Sequence, residues 1–197
     1  LLADHGAWVF YGSGFLYWLH PSIHWLLASQ ALALSLTAIP LWLLASQAGL
    51  SRRLCWFSCL LWWLQPLVFN VNLFDFHPET WVMPGLAMAI WCQRQKRLGG
   101  WLLLLVLMLG CRDGLVLVTV GLSLSLLIQR RWSWAIAGAG LSGTWILLLN
   151  QWLYPLFRNG EGPKAAGRMF AHLGDSFGEI LFTLISRPWL AFTQIDL

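Results

Sequence analysis

Two carboxylates and an imidazole occupy alternate positions in Phe74-Asp75-Phe76-His77-Pro78-Glu79, between apolar runs long enough to cross or nearly cross a bilayer. Charge is expensive in such a setting, so a buried or cavity-lining role is the first functional expectation. Asp75, His77 and Glu79 could share a divalent metal ion, or one of them could act as general base. The bland alternative is a helix-capping turn, although a cap needs one acceptor rather than three ionisable groups. Pro78 has no N–H to lose in the first turn of a helix, and Glu79 beside it suits the positive end of the helix dipole. The stretch therefore reads as a polar elbow at a helix N-terminus.

Other polar features are sparser. Arg112-Asp113 breaks an apolar region and is either a self-satisfied ion pair in a helical hairpin or an anion site, since arginine forks onto phosphate and the next helix presents its N-terminus. Asp4-His5 stands near the start as a further candidate ligand pair. His20 and His24 flank a helix start and read as cap and interface residues. Lys164 and Arg168 lie in a Gly-rich loop that reads as solvated, or as a basic cover over a phosphorylated ligand.

The surrounding chain has to hold these residues at a membrane. It is 58% hydrophobic and only 10% charged, with a mean hydropathy of +0.66, where soluble domains carry roughly 25% charge. That composition describes an integral membrane protein. The net charge of +4 does not point to nucleic acid, because the basic residues form short clusters beside apolar runs, which is how membrane orientation is encoded. Cys55, Cys59, Cys92 and Cys111 form no zinc-type pair and read as apolar fillers. With neither an initiator methionine nor a signal-peptide pattern, the chain reads as a piece of a longer protein.

The elements follow from the apolar runs. Residues 1–24 are aromatic and interrupted by Gly12, Gly14 and Pro21, which suits an interfacial or re-entrant segment. About five apolar helices follow over 25–154. A span over Trp25–Ala48 is kinked at Pro40, a run over Leu54–Phe69 leads to the elbow, and another covers Trp81–Cys92. Leu98–Gly110 and Leu115–Ile128 are short helices meeting at the Arg112-Asp113 break. Trp132–Leu153 is a last clear span, with Gly138, Gly140 and Gly143 offering a close-packing face. Residues 155–175 form an outer loop, and 176–197 an interfacial helix or further span.

Span parity puts Arg52, Arg53, Arg94, Lys96, Arg97, Arg130 and Arg131 on one side, in clusters free of acids. Acid-free basic loops are retained in the cytoplasm. Asp4-His5, the elbow, Arg112-Asp113 and the 155–175 loop then converge on the outer face. Elbow side chains are expected within about one water-bridged contact of Arg112 or Asp113.

Asn72-Leu73-Phe74-Asp75-Phe76-His77-Pro78-Glu79, with a basic-acidic pair opening an apolar helix about thirty residues on, resembles a bacterial family of multi-pass predicted membrane proteins of unknown function grouped with GT-C glycosyltransferases. That family shows an N-L-F-D-F-H-P-E elbow and a Lys/Arg-Glu-Asp motif. The resemblance extends to Asp4-His5, the span from Gln30 to Pro40 and His172-Leu173-Gly174-Asp175-Ser176. Arg112 stands at the family's basic position and Asp113 at its Glu, while Gly114 replaces its Asp. GT-C enzymes also carry an acid on the first outer loop, a place this chain matches at most with Asp4.

The resemblance implies an all-α, GT-C-like helix bundle in the bacterial plasma membrane, with interfacial helices on the outer face. It implies sugar transfer from a polyprenyl-phosphate donor, with Asp75, His77, Glu79 and Asp113 as candidate catalytic residues. Arg112, Asp4 and His5 are then candidate ligand or phosphate-binding residues. A non-catalytic transporter, lipid-binding or assembly protein is the second expectation, with the same residues lining a pocket for a ligand or an ion.

Overall fold

A computed structural model describes residues 2–157, 172–174 and 177–192, and these are helical with no strand among them. Two short helices, α1 (Leu2–His5) and α2 (Phe10–Leu19), precede α3 (His24–Leu36) and α4 (Ala38–Gln47). Next come α5 (Arg52–Trp63) and α6 (Pro66–Leu73), then a 3₁₀ turn (Pro78–Trp81) that leads into α7 (Val82–Arg94). Helix α8 (Leu98–Leu109), a 3₁₀ turn (Asp113–Leu115) and α9 (Val116–Ile128) follow. Helix α10 (Trp132–Leu148) runs through a π-helical turn (Leu149–Leu153) into α11 (Tyr154–Phe157). Beyond these lies α12 (Phe177–Ser186).

Two stretches are long and apolar enough to cross a membrane: His24–Gln47, 24 residues, and Trp132–Phe157, 26 residues. The pair α5 and α6 passes only as a broken span, bent by 44°. Pro66 begins α6 and holds Gln65 in an extended conformation, which ends α5. The break in the first span falls at Thr37 rather than at Pro40. Pro40 lacks the N–H that would bond the carbonyl of Leu36, and Thr37 Oγ1 donates back to Ala33 O at 2.9 Å. Helices α8 and α9 are short, as their lengths in sequence imply, and α2 exposes Tyr11, Phe15, Tyr17 and Trp18. At ten residues, about 15 Å, neither α2 nor α12 reaches across a core of about 30 Å.

The core sits among α7, α8, α9 and α10, around Val82, Ala89, Trp101, Leu105, Met108, Leu126 and Ala135. Helices α9 and α10 share a buried hydroxyl cluster. Ser142 Oγ lies 2.8 Å from both Thr119 Oγ1 and Gly138 O, and Ser123 Oγ donates to Thr119 O at 2.6 Å. Of the three glycines expected on a packing face, only Gly138 is at one. A Cβ there would collide with Ser123 and the ring of Trp101, whereas Gly140 and Gly143 face open space. Helical periodicity turns those two away from the face Gly138 occupies.

Helices α4, α7 and α9 end together and alike. Each closes with a left-handed residue: Gly49 at φ 80°, Lys96 at φ 59° and Arg130 at φ 57°. In each, the next N–H bonds a carbonyl five residues back: Leu50 to Ala45, Arg97 to Cys92, and Arg131 to Leu126. This is the Schellman arrangement. Arg94 Nε donates to Gln47 Oε1 at 3.2 Å and Arg131 Nη1 to Gln93 O at 2.6 Å, so the basic turns gather at one end of the bundle. The elbow and the Arg112-Asp113 break lie at the other.

Candidate functional site at the polar end

The elbow is pinned from the first span. Gln30, on α3, is completely buried; its Oε1 accepts the His77 N–H at 2.9 Å and its Nε2 donates to Val71 O at 3.0 Å. One side chain thus satisfies a donor of the elbow and a carbonyl of α6. Within the turn, Thr80 Oγ1 donates back to His77 O at 2.7 Å. Phe76, Phe10 and Trp81 pack ring to ring, with centroids 5.4 to 5.5 Å apart, and this anchors the start of α2 on the elbow.

Within this frame Arg112 Nη1 pairs with Glu79 Oε1. The pair joins the two polar breaks across the bundle. Burial alone would push the Glu79 carboxyl up, but the hydrogen bond from Arg112, its own backbone N–H and the charges of Arg112 and His77 outweigh it. The carboxyl is held below its ordinary range. Its second oxygen, Oε2, is buried and has no hydrogen-bond partner among the described residues.

Asp113 is held by other neighbours. Its Oδ2 accepts Tyr154 Oη–H at 2.7 Å, its Oδ1 accepts the Gly114 N–H at 2.8 Å, and His5 Nδ1 lies 3.4 Å from Oδ1. Arg112 and Asp113 therefore do not form the mutual ion pair that their adjacency suggested. Adjacent residues in an extended link point apart, and Arg112 has φ −164° and ψ 144°. The segment carrying His5 lies against this break: Val9 N–H donates to Gly110 O at 3.1 Å, and a Cβ on Gly110 would strike the indole of Trp8.

Asp75 stands apart. It is exposed, and its Oδ1 folds back onto the Phe76 N–H at 2.8 Å. No group of three His, Cys, Asp or Glu side chains among the described residues is arranged to hold a metal ion. The expected ligand trio of Asp75, His77 and Glu79 does not form, because Asp75 is engaged by its own backbone and Glu79 is turned onto Arg112. The Asp4 side chain, Lys164, Arg168, and Asp175-Ser176 of the expected turn lie outside the described residues.

His77 makes a short contact from Nδ1 to Asp75 O, 2.7 Å. A carbonyl oxygen only accepts, so Nδ1 carries a proton, and in the neutral ring the lone pair is therefore on Nε2. His77 and Glu79 line two cavities. One, of about 500 Å³, is apolar and runs between α3, α5 and α6 past Leu34, Trp62, Val68 and Phe74. The other, of about 320 Å³, is bounded by His5, Phe10, Cys111 and Arg112. Cys111 contributes no reactive thiol, since burial and the nearby Glu79 charge push its pKa up to about 12.

Two participants escape a reading of the sequence. Gln30 is a lone amide within an apolar span, and such a residue bonds across helices. Tyr154 sits just past the last apolar run, and only its burial at 1% exposure beside Asp113 separates it from the many interfacial aromatics.

No curated protein and no solved structure matches this chain. The model of a family described as predicted membrane protein (DUF2079) matches residues 1–197. Because that match runs the length of the chain, the chain belongs to the DUF2079 family of predicted membrane proteins.

Proposed function

We propose that this chain forms the donor site of a GT-C-like glycosyltransferase that takes a sugar from a polyprenyl-phosphate carrier at the outer face of a bacterial plasma membrane. One observation carries the reading: an apolar cavity and a polar cavity meet at His77 and Glu79. A ligand suited to both is an amphiphile with a hydrocarbon tail and a compact anionic head. Arg112 supplies the fork for the phosphate, His5 lies on the same wall, and the elbow supplies groups able to accept a proton. The acid-free basic turns at the opposite end favour a cytoplasmic position for that end, which leaves the site outside.

In the transfer, an acceptor hydroxyl attacks the anomeric carbon and the bond from that carbon to the phosphate oxygen breaks. The electron pair leaves with the lipid phosphate beside Arg112, and the hydroxyl proton passes to the elbow. A second reading, a lipid-binding or transport protein without chemistry, draws on the closed Glu79–Arg112 pair, which engages the best anion donor with a protein carboxylate.

The test uses the full-length protein in liposomes, a radiolabelled polyprenyl-phosphate hexose and a membrane extract as acceptor pool. Consumption of the donor, reduced about 100-fold in Arg112→Gln, is the expected result. Binding of the donor without consumption moves the assignment to the second reading.

A further inference from the structure

We infer that His77 is the proton acceptor of this site and that Gln30 is its positioning residue, an assignment that rests on the transferase reading above. Five groups at the polar end could take a proton, and their surroundings separate them; His5, set against Asp113, lines only the polar cavity. Asp75 is exposed, turned onto its own backbone, and lines neither cavity. Asp113 already accepts from Tyr154 and Gly114, with His5 beside it. Glu79 is tied to Arg112, whose charge makes it a weaker base. His77 and Glu79 both line the two cavities and Glu79 Oε2 also has no partner among the described residues, but of the two only His77 offers a lone pair on a group that is not tied to a cation.

Two bonds hold that lone pair in place. The Nδ1–H bond to Asp75 O fixes the tautomer, and the Gln30 Oε1 bond to the His77 N–H fixes the backbone that carries the ring. Gln30 is anchored in turn through Val71 O, and the ring packs against Phe74 with centroids 5.6 Å apart. Gln30 touches no ligand in this scheme. It acts through His77 by keeping the elbow in one register against α3 and α6. The step balances within the site: the acceptor O–H bond breaks, the oxygen bonds the anomeric carbon, the lipid phosphate leaves with its electron pair, and the proton moves to Nε2. The imidazolium then returns that proton to water through the polar cavity.

The experiment labels the histidines of the full-length protein with ¹⁵N in lipid nanodiscs and assigns His77 by comparison with His77→Gln. The expected spectrum has Nδ1 protonated and Nε2 bare; a neutral ring protonated at Nε2 overturns the proposal even if transfer is intact. In Gln30→Met, mixed tautomers should appear and kcat should fall about 100-fold, as a misplacement of about 1 Å can cause. The KM for donor should stay within about twofold, since ground-state binding is untouched. Loss of kcat with the tautomer unchanged removes Gln30 from the positioning role. Should Gln30→Met fail to fold, His77→Ala decides: added imidazole restores transfer if the ring is the base, and wild-type transfer without imidazole refutes it. Absence of transfer by the wild type with every donor overturns the transferase reading and the proton-acceptor role with it, whatever tautomer is found.

Discussion

At the scale of single residues, the polar end separates into two holding arrangements with opposite demands. Glu79 is a carboxylate held below its ordinary range by Arg112, so the tie is present at neutral pH and is lost as pH falls through that depressed value. Thermal unfolding of wild type and Glu79→Gln in detergent, followed from pH 7 to pH 3, should therefore show a gap that is flat above the ordinary carboxylate range of about 4.3 and closes only below it. Asp113, by contrast, is a hub with Tyr154, Gly114 and His5 on its two oxygens. Tyr154→Phe should destabilise by about 1.5–3 kcal/mol, the worth of a hydrogen bond to a charged group, measured as a drop in unfolding free energy. If Tyr154→Phe leaves stability unchanged and abolishes transfer, Asp113 belongs to the chemistry instead.

At the scale of elements, the helix ends were legible, and so was the approach of the elbow to Arg112, which Glu79 makes directly; the other partners were not. Pro78 and Glu79 mark a helix start by local chemistry, and a helical turn opens at Pro78. The basic clusters mark turns, and α4, α7 and α9 end at them. The pairing of Glu79 with Arg112 links residues 33 apart, and the Gln30 clamp links residues 47 apart. Span parity brings the elbow and Arg112 to one face, but no local pattern encodes which side chains meet or that Gln30 holds the elbow; those contacts arise when apolar faces pack. Asp75, His77 and Glu79, which could have shared a metal, are not grouped for a related reason: alternate spacing says which residues are near in sequence but not which way a broken backbone turns them. The same packing makes Gly110 testable, and the left-handed turn at Lys96 offers a second test. Gly110→Ala drives a methyl into the rigid indole of Trp8 and should loosen the segment carrying His5, seen as faster hydrogen exchange at Val9. Lys96→Gly removes a left-handed strain of about 1 kcal/mol and should raise the unfolding midpoint; an unchanged or lower midpoint would contradict this.

At the scale of the whole molecule, the bundle has a basic end and a site end, and orientation in the membrane decides which compartment the site meets. Cys55, Cys59, Cys92 and Cys111 are all buried and free, so they leave a quiet background for labelling. A probe at Gln95→Cys should be shielded from an impermeant thiol reagent added to intact cells, and one at His20→Cys, near the start of the first span, should react. The reverse pattern would place the site in the cytoplasm and remove the outer-face transferase.

The central claim, that one amphiphile occupies both cavities with its phosphate at Arg112, is tested most directly by photocrosslinking. A polyprenyl phosphate with a diazirine near the head of its tail is irradiated with the full-length protein in nanodiscs, and the attachment points are read by mass spectrometry. The account predicts adducts along the apolar cavity, at residues such as Trp62, Val68 and Phe74, which are suppressed by unlabelled polyprenyl phosphate and lost in Arg112→Gln. Adducts spread over the lipid-exposed surface, or cavity adducts that persist undiminished in Arg112→Gln, would contradict it.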